Sequence, residues 1–168
     1  FDISCGVRTL LTGLNGETIQ RTLQRVADAL AREIPAGLGG GGAIRMEADG
    51  IDAMLLGGAK WAVDRGYGTP ADLNRIEEGG CIQGAAPKHV SSEAKRRQRD
   101  QMGTLGSGNH YLEVQKIVEI FDHDIAAVFG LHEDEVVVTI HCGSRGLGHQ
   151  IGTDYLREMN AAADRLGW

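Results

Sequence analysis

Hydrophobic residues recur at helical spacing between residues 17 and 34, where Ile19, Leu23, Val26, Leu30 and Ile34 lie three or four positions apart. Asn15-Gly16 supplies a turn and a cap ahead of them, and Pro35 stops the run. The spacing predicts one helix over 17–34. The glycine-rich stretch 37–42 follows, read as a mobile surface loop or one whose backbone approaches a phosphate. A second helix is predicted from about residue 52 to 65, interrupted by Gly57-Gly58, since a mid-helix glycine costs about 1 kcal/mol against Ala. Thr69-Pro70 places a cap before a first-turn proline and opens a short helix through Ile76. Ser91-Ser92-Glu93 opens a charged helix that runs to about Asp100.

The pattern then changes period. Residues 111–120 alternate, with Leu112 and Val114 on the buried side, and Val136-Val137-Val138-Thr139-Ile140 is a β-branched run of the kind found in fully buried strands. A short helix is predicted between them over 125–129, and a final helix over about 152–166, with Leu156, Met159, Ala163 and Leu166 on one side. There is no internal repeat. The expected class is α+β, a mixed sheet with flanking helices, forming part of one domain over residues 1–168.

Composition refines this picture in three ways. Glycine is abundant, 25 of 168 residues, roughly double the usual ~7%, while proline is only 3, so the glycines mark turns and close approaches rather than a linker. The net charge of −6 excludes a protein that coats nucleic acid by bulk charge. One basic cluster, Lys95, Arg96, Arg97 and Arg99, reads either as a solvated helix face or as a local groove. Three cysteines without short spacing do not form a disulfide framework and suit a reducing, cytoplasmic setting. No run approaches the ~20 apolar residues of a membrane span. The first residue is Phe1, already inside a candidate motif, and Trp168 follows directly on a helical pattern, so both ends are expected to be cut from a longer chain.

Three segments join glycines to side chains able to hold metal or phosphate: Asp2-Ile3-Ser4-Cys5-Gly6, Gly106-Ser107-Gly108-Asn109-His110, and the stretch from His141-Cys142-Gly143-Ser144-Arg145 to His149. Aspartate offers a hard oxygen, histidine a nitrogen and cysteine a thiolate, a mixture suited to manganese, zinc or iron. Gly143-Ser144-Arg145-Gly146 offers backbone N–H groups, a hydroxyl and a guanidinium to an anion. Each segment also has a plain structural reading. A histidine beside a strand is commonly hydrogen-bonded, a lone cysteine acts as a small hydrophobe, Asp2 can cap a turn, and glycines make turns.

These segments, in this order, resemble the RtcB-type RNA ligases. The resemblance also takes in the stretches 57–68, 103–115 and 141–150, and so spans essentially the whole chain. It implies an enzyme that joins an RNA 3′-phosphate or 2′,3′-cyclic phosphate to a 5′-hydroxyl end, using GTP and manganese through a histidine that takes GMP. It implies roles in tRNA splicing and RNA repair, with tRNA halves or broken RNA ends as partners and an archease-like accessory protein. Matched residue by residue, Asp2, Cys5, His110 and His141 correspond to metal ligands for two manganese ions, with Cys5 as the bridging thiolate. Asn109 corresponds to a contact to a GTP phosphate, and Arg145 to one with phosphate or the RNA end. Glu113 corresponds to a glutamate that accepts from the guanine edge, and Tyr111 stands near the guanine where the family usually has phenylalanine. The guanylylated histidine of the family lies downstream of the segment that begins at His141, so this chain by itself is expected to carry a partial site and not to ligate. A metal-dependent phosphatase or nuclease using the same ligands, and a non-catalytic RNA- or partner-binding piece, are the competing expectations.

Overall fold

The computed structural model describes residues 3–37 and 41–168, with backbone alone for 48 and 49. Asp2 and positions 38–40 of the glycine-rich loop lie outside the described residues. The elements run β1 (Gly6–Asn15), α1 (Gly16–Gln20), α2 (Leu23–Glu33), α3 (Ala48–Val63), α4 (Pro70–Leu73), α5 (Ser92–Gln98), β2 (Tyr111–Lys116), α6 (His123–Phe129), β3 (Glu135–Cys142) and α7 (Arg145–Leu166), with short 3-10 turns at Glu77–Gly80 and Pro87–His89. The class is α+β. The sheet has the order β1-β3-β2 and both pairings are antiparallel, where a mixed sheet was expected. No helix among the described residues is long and apolar enough to cross a membrane.

Contacts gather the chain into two units. The sheet unit holds the described residues up to Ala43 together with Gly103–Ser144. Its centre is β3, whose β-branched residues Val136 and Val137 and the hydroxyl-bearing Thr139 are buried. β2 stops at Lys116, four residues earlier than the alternation suggested, and Ile117 closes a turn by exchanging backbone hydrogen bonds with Asp134 and Glu135. α6 is capped at its start by Asp122, whose side chain accepts from the Ile125 N–H at 2.9 Å, and at its end by Gly130 in the left-handed region.

β1 was not expected. Its apolar residues Val7, Leu10, Leu11 and Leu14 do not alternate, because the pairing register with β3 shifts between Leu11 and Leu14. The Thr12 hydroxyl fits into this bulge, donating to the Val136 carbonyl and accepting from the Leu14 N–H at 3.1 Å. A bulge moves later side chains to the opposite face, so the period of two is lost from the sequence. The predicted helix over 17–34 is likewise two helices. The Thr22 hydroxyl turns back to the carbonyls of Thr18 and Ile19 at 3.2 and 3.3 Å, and the backbone leaves helical geometry there.

The helical unit comprises Ile44–Met102 and Arg145–Trp168. Its core is Met46, Ile51 and Trp61, packed by Ile44, Met54, Leu55, Ala62 and Met102. Each such buried side chain contributes on the order of 2 kcal/mol. The Arg65 guanidinium covers the Trp61 ring at 4.1 Å. α3 is kinked at Gly58 (φ 55°, ψ −141°), a conformation open essentially to glycine, and a Cβ there would collide with the Gly80 carbonyl oxygen.

α7 begins at Arg145, about seven residues before its predicted start. Its early glycines suppress the sequence signal, but Gly146 faces Arg97 of α5 so closely that a Cβ would lie 3.3 Å from the Arg97 Cβ. Close helix packing explains the glycine. Three of the four basic residues of the cluster, Lys95, Arg96 and Arg97, are engaged within this unit. Lys95 pairs with Asp52 at 2.7 Å, Arg96 pairs with Glu93, and Arg97 donates to the Gln150 side-chain oxygen at 3.0 Å. Gln150 in turn donates to Asp154, which also accepts from the Ser91 hydroxyl at 2.6 Å. The Ser91 hydroxyl, then Gln150, hold the Asp154 carboxyl below the usual carboxylate range.

Candidate functional site

Antiparallel pairing fixes where the three candidate segments go. β1 and β2 both run against β3, so their starts lie beside the end of β3. Cys5 immediately precedes β1, His110 immediately precedes β2, and His141 is the penultimate residue of β3. In register, His141 faces Val7 on one side and Tyr111 on the other. Segments more than a hundred residues apart therefore meet at one corner of a small sheet.

The side chains converge there. The Cys5 sulfur lies 2.8 Å from His141 Nε2 and 3.4 Å from His110 Nε2. The two imidazoles are 5.5 Å apart, edge to face, and the Tyr111 ring stands 5.4 Å from the His141 ring in the same manner. His141 Nδ1 donates to the Asn109 backbone carbonyl at 2.9 Å, since a carbonyl can only accept. In the neutral ring this places the Nε2 lone pair toward the cysteine, the orientation a metal-ligating histidine needs. The loop carrying Cys5 is tied down as well. The Ser144 hydroxyl donates to the Ile3 carbonyl, and Ser4 takes a positive φ of 58°.

Among the described residues, no three His, Cys, Asp or Glu side chains form a group already spaced to hold a metal ion. The three donors sit at hydrogen-bond separations from one another. Their chemistry nevertheless fits a borderline divalent cation: two ring nitrogens approach one sulfur, and one tautomer is set by the backbone.

Beyond the corner, the face of the sheet that carries His141 holds a patch of polar side chains beside the apolar Val7, Leu11 and Val137. Glu113 pairs with Thr139, which pairs on its other side with Thr9, so the three share a face with Tyr111 and His141. The Thr139 hydroxyl donates to the Gln115 side-chain oxygen at 2.7 Å, and the Gln115 amide donates to Glu113 Oε2 at 2.7 Å. No role had been assigned to Thr9, Gln115 or Thr139. The available signal was the alternation of Tyr111, Glu113 and Gln115 with Leu112 and Val114.

Residues 1–168 match, end to end, the family described as tRNA-splicing ligase RtcB. The chain belongs to this family. It is 49% identical over 164 residues to the tRNA-splicing ligase RtcB of Pyrococcus furiosus, covering 98% of this chain and 17% of that protein. It is 47% identical over 167 residues to the Thermococcus kodakarensis tRNA-splicing ligase RtcB, covering 99% of this chain and 35% of the relative. The Archaeoglobus fulgidus protein of the same name is also 47% identical, with 35% of its length covered. The chain thus spans well under half of these RtcB proteins.

Of the residues expected at an RtcB site, Cys5, His110, His141, Asn109 and Tyr111 share the sheet corner, and Glu113 follows on the same face. Asp2 lies outside the described residues. Arg145 is the first residue of α7, in the helical unit, and holds a φ of 54°. A non-glycine residue kept in that region stores strain of order 1–3 kcal/mol, which is common where a side chain is aimed for a purpose.

Proposed function

We propose that the chain supplies the metal- and nucleotide-holding part of a GTP- and manganese-dependent RNA ligase, which joins RNA 3′-phosphate or 2′,3′-cyclic phosphate ends to 5′-hydroxyl ends in tRNA splicing and RNA repair. The observation that supports it best is the approach of the Cys5 sulfur to the Nε2 atoms of both His110 and His141. Cys5, His110 and His141, with Asp2, would hold the two manganese ions. Bound manganese would neutralise triphosphate charge and favour in-line displacement at phosphorus.

The chain's own residues would do the rest. The Asn109 carbonyl holds His141 in the tautomer whose Nε2 can ligate. The Asn109 side chain, at the exposed end of the loop before β2, is suited to a phosphate oxygen. Tyr111 offers an aromatic face or edge to a base, and Glu113 two anionic acceptors to the N1–H and amino groups of guanine. Arg145 would bind a phosphate or the RNA end through its planar fork of donors. The histidines other than His110 and His141 do not match the family's guanylylated position, so the 168-residue chain alone should form no covalent GMP adduct. RNA and an archease-like protein are the proposed partners, and the cytoplasm the proposed site of action.

The test uses the full-length gene product, incubated with labelled GTP and manganese. An acid-labile protein–GMP adduct should form, and Cys5→Ala and His141→Ala should each abolish it. Manganese-dependent release of RNA 3′-phosphate without GTP, and without an adduct, would instead mark a phosphatase.

A further inference from the structure

The hydrogen bonds within this polar patch run in one direction. Glu113, as a carboxylate, can only accept, so the Gln115 group 2.7 Å from its Oε2 is the amide NH₂. The Gln115 carbonyl must then face Thr139, and the Thr139 hydroxyl donates its only proton to it at 2.7 Å. The Thr9 hydroxyl, 3.3 Å from Thr139 Oγ1, is left as the donor to that oxygen. The relay is Thr9 to Thr139 to Gln115 to Glu113. Its middle member is anchored, because Thr139 lies on the central strand and is only 7% exposed. Glu113 and Gln115 are exposed, and a solvated carboxylate without such a tie samples many rotamers.

We propose that Gln115, held by Thr139, is a positioning residue that orients the Glu113 carboxylate for guanine; this rests on the assignment of Glu113 to the guanine edge. With Oε2 engaged by Gln115, the carboxylate plane is fixed, and a base arriving at Glu113 meets a preset acceptor geometry. Loss of the relay leaves the charge in place but removes its orientation. It therefore affects recognition of the base, not the chemistry at phosphorus.

The experiment measures adduct formation by the full-length gene product with GTP and with ITP, which lacks the 2-amino group. Gln115→Met keeps the length and removes both hydrogen bonds. It should raise KM for GTP about tenfold, reduce the preference for GTP over ITP by a comparable factor, and leave kcat within about twofold. Thr139→Val should give a smaller effect in the same direction, roughly threefold, and Thr139→Ser should restore the GTP preference. Thermal unfolding of each variant separates misfolding from misorientation, and Thr139→Val compared with Thr139→Ser supplies the readout if Gln115→Met is unstable. Glu113→Gln is measured in parallel. If it leaves the GTP/ITP preference unchanged, the guanine assignment itself fails. If it removes the preference while Gln115→Met and Thr139→Val keep it, the relay is refuted and the guanine assignment stands.

Discussion

The Cys5 sulfur lies 2.8 Å from His141 Nε2, across 136 residues of sequence. Nothing local holds the pair together. It exists because β1 and β3 are hydrogen-bonded antiparallel partners, with Val7 beside His141 and Gly6 beside Cys142. The contact is a consequence of sheet register, and it brings three separate sequence segments together at one corner.

Removal of the sulfur should therefore be felt first in metal binding. In the full-length gene product, Cys5→Ala is expected to weaken manganese binding, followed by calorimetric titration, by more than about 100-fold, since even outer-shell changes at metal sites cost about 10- to 100-fold. Unchanged manganese affinity in a folded Cys5→Ala protein would remove the basis of the metal assignment.

Tyr111 touches the His141 ring by its edge, a contact that does not need the phenolic hydroxyl. Tyr111→Phe should thus leave the KM for GTP within about twofold. Tyr111→Ala should raise it about tenfold, as expected for a lost aromatic contact worth on the order of 1 kcal/mol together with its buried area. A large defect in the Phe variant would show that the hydroxyl has a part of its own.

Gly58 predicts a stability effect within the helical unit. Gly58→Ala must hold a Cβ at φ 55° against the Gly80 carbonyl oxygen. Destabilisation of about 3 kcal/mol or more is expected, read as a lowered midpoint in denaturant. A near-neutral change would mean that the α3 kink relaxes freely.

Asp154 gives a pH dependence. Its carboxyl is held below the ordinary 3.8 by the Ser91 hydroxyl and Gln150. The folded state thus binds this proton less readily than the unfolded chain. The resulting stabilisation is fully present above the ordinary value and disappears as pH falls through the lowered one. Asp154→Asn should reduce the fall of the unfolding midpoint as pH drops below the ordinary carboxylate value. Wild-type and variant midpoints falling in parallel over that range would contradict the assignment.

Much of the local structure can be read from the residues. The charged helix from Ser92 follows from its Ser91 opening and β3 from its β-branched run, while the short helix expected over 125–129 is α6, whose Asp122 and Gly130 caps only the structure shows. β1 escapes such reading because the Thr12 bulge breaks its alternation. The early turns of α7 escape because their glycines answer to Arg97 on another helix rather than to helix propensity. The same division applies to the corner where the donors meet. Cys5, His110 and His141 stand out as residue types beside glycines, and the family likeness follows from the order of those segments.

The sequence by itself determined the period of β3 and of most helices, the openings at Asn15 and Ser91, the kinds of donor available and the membership of the RtcB family, because these depend on neighbours along the chain. The tertiary structure alone decided that the sulfur and two imidazoles face one another, that the Asn109 carbonyl sets the His141 tautomer, and that Thr139 reaches Gln115. Those relations depend on strand order and register, which arise when separated strands pair across β3 and bury its side chains.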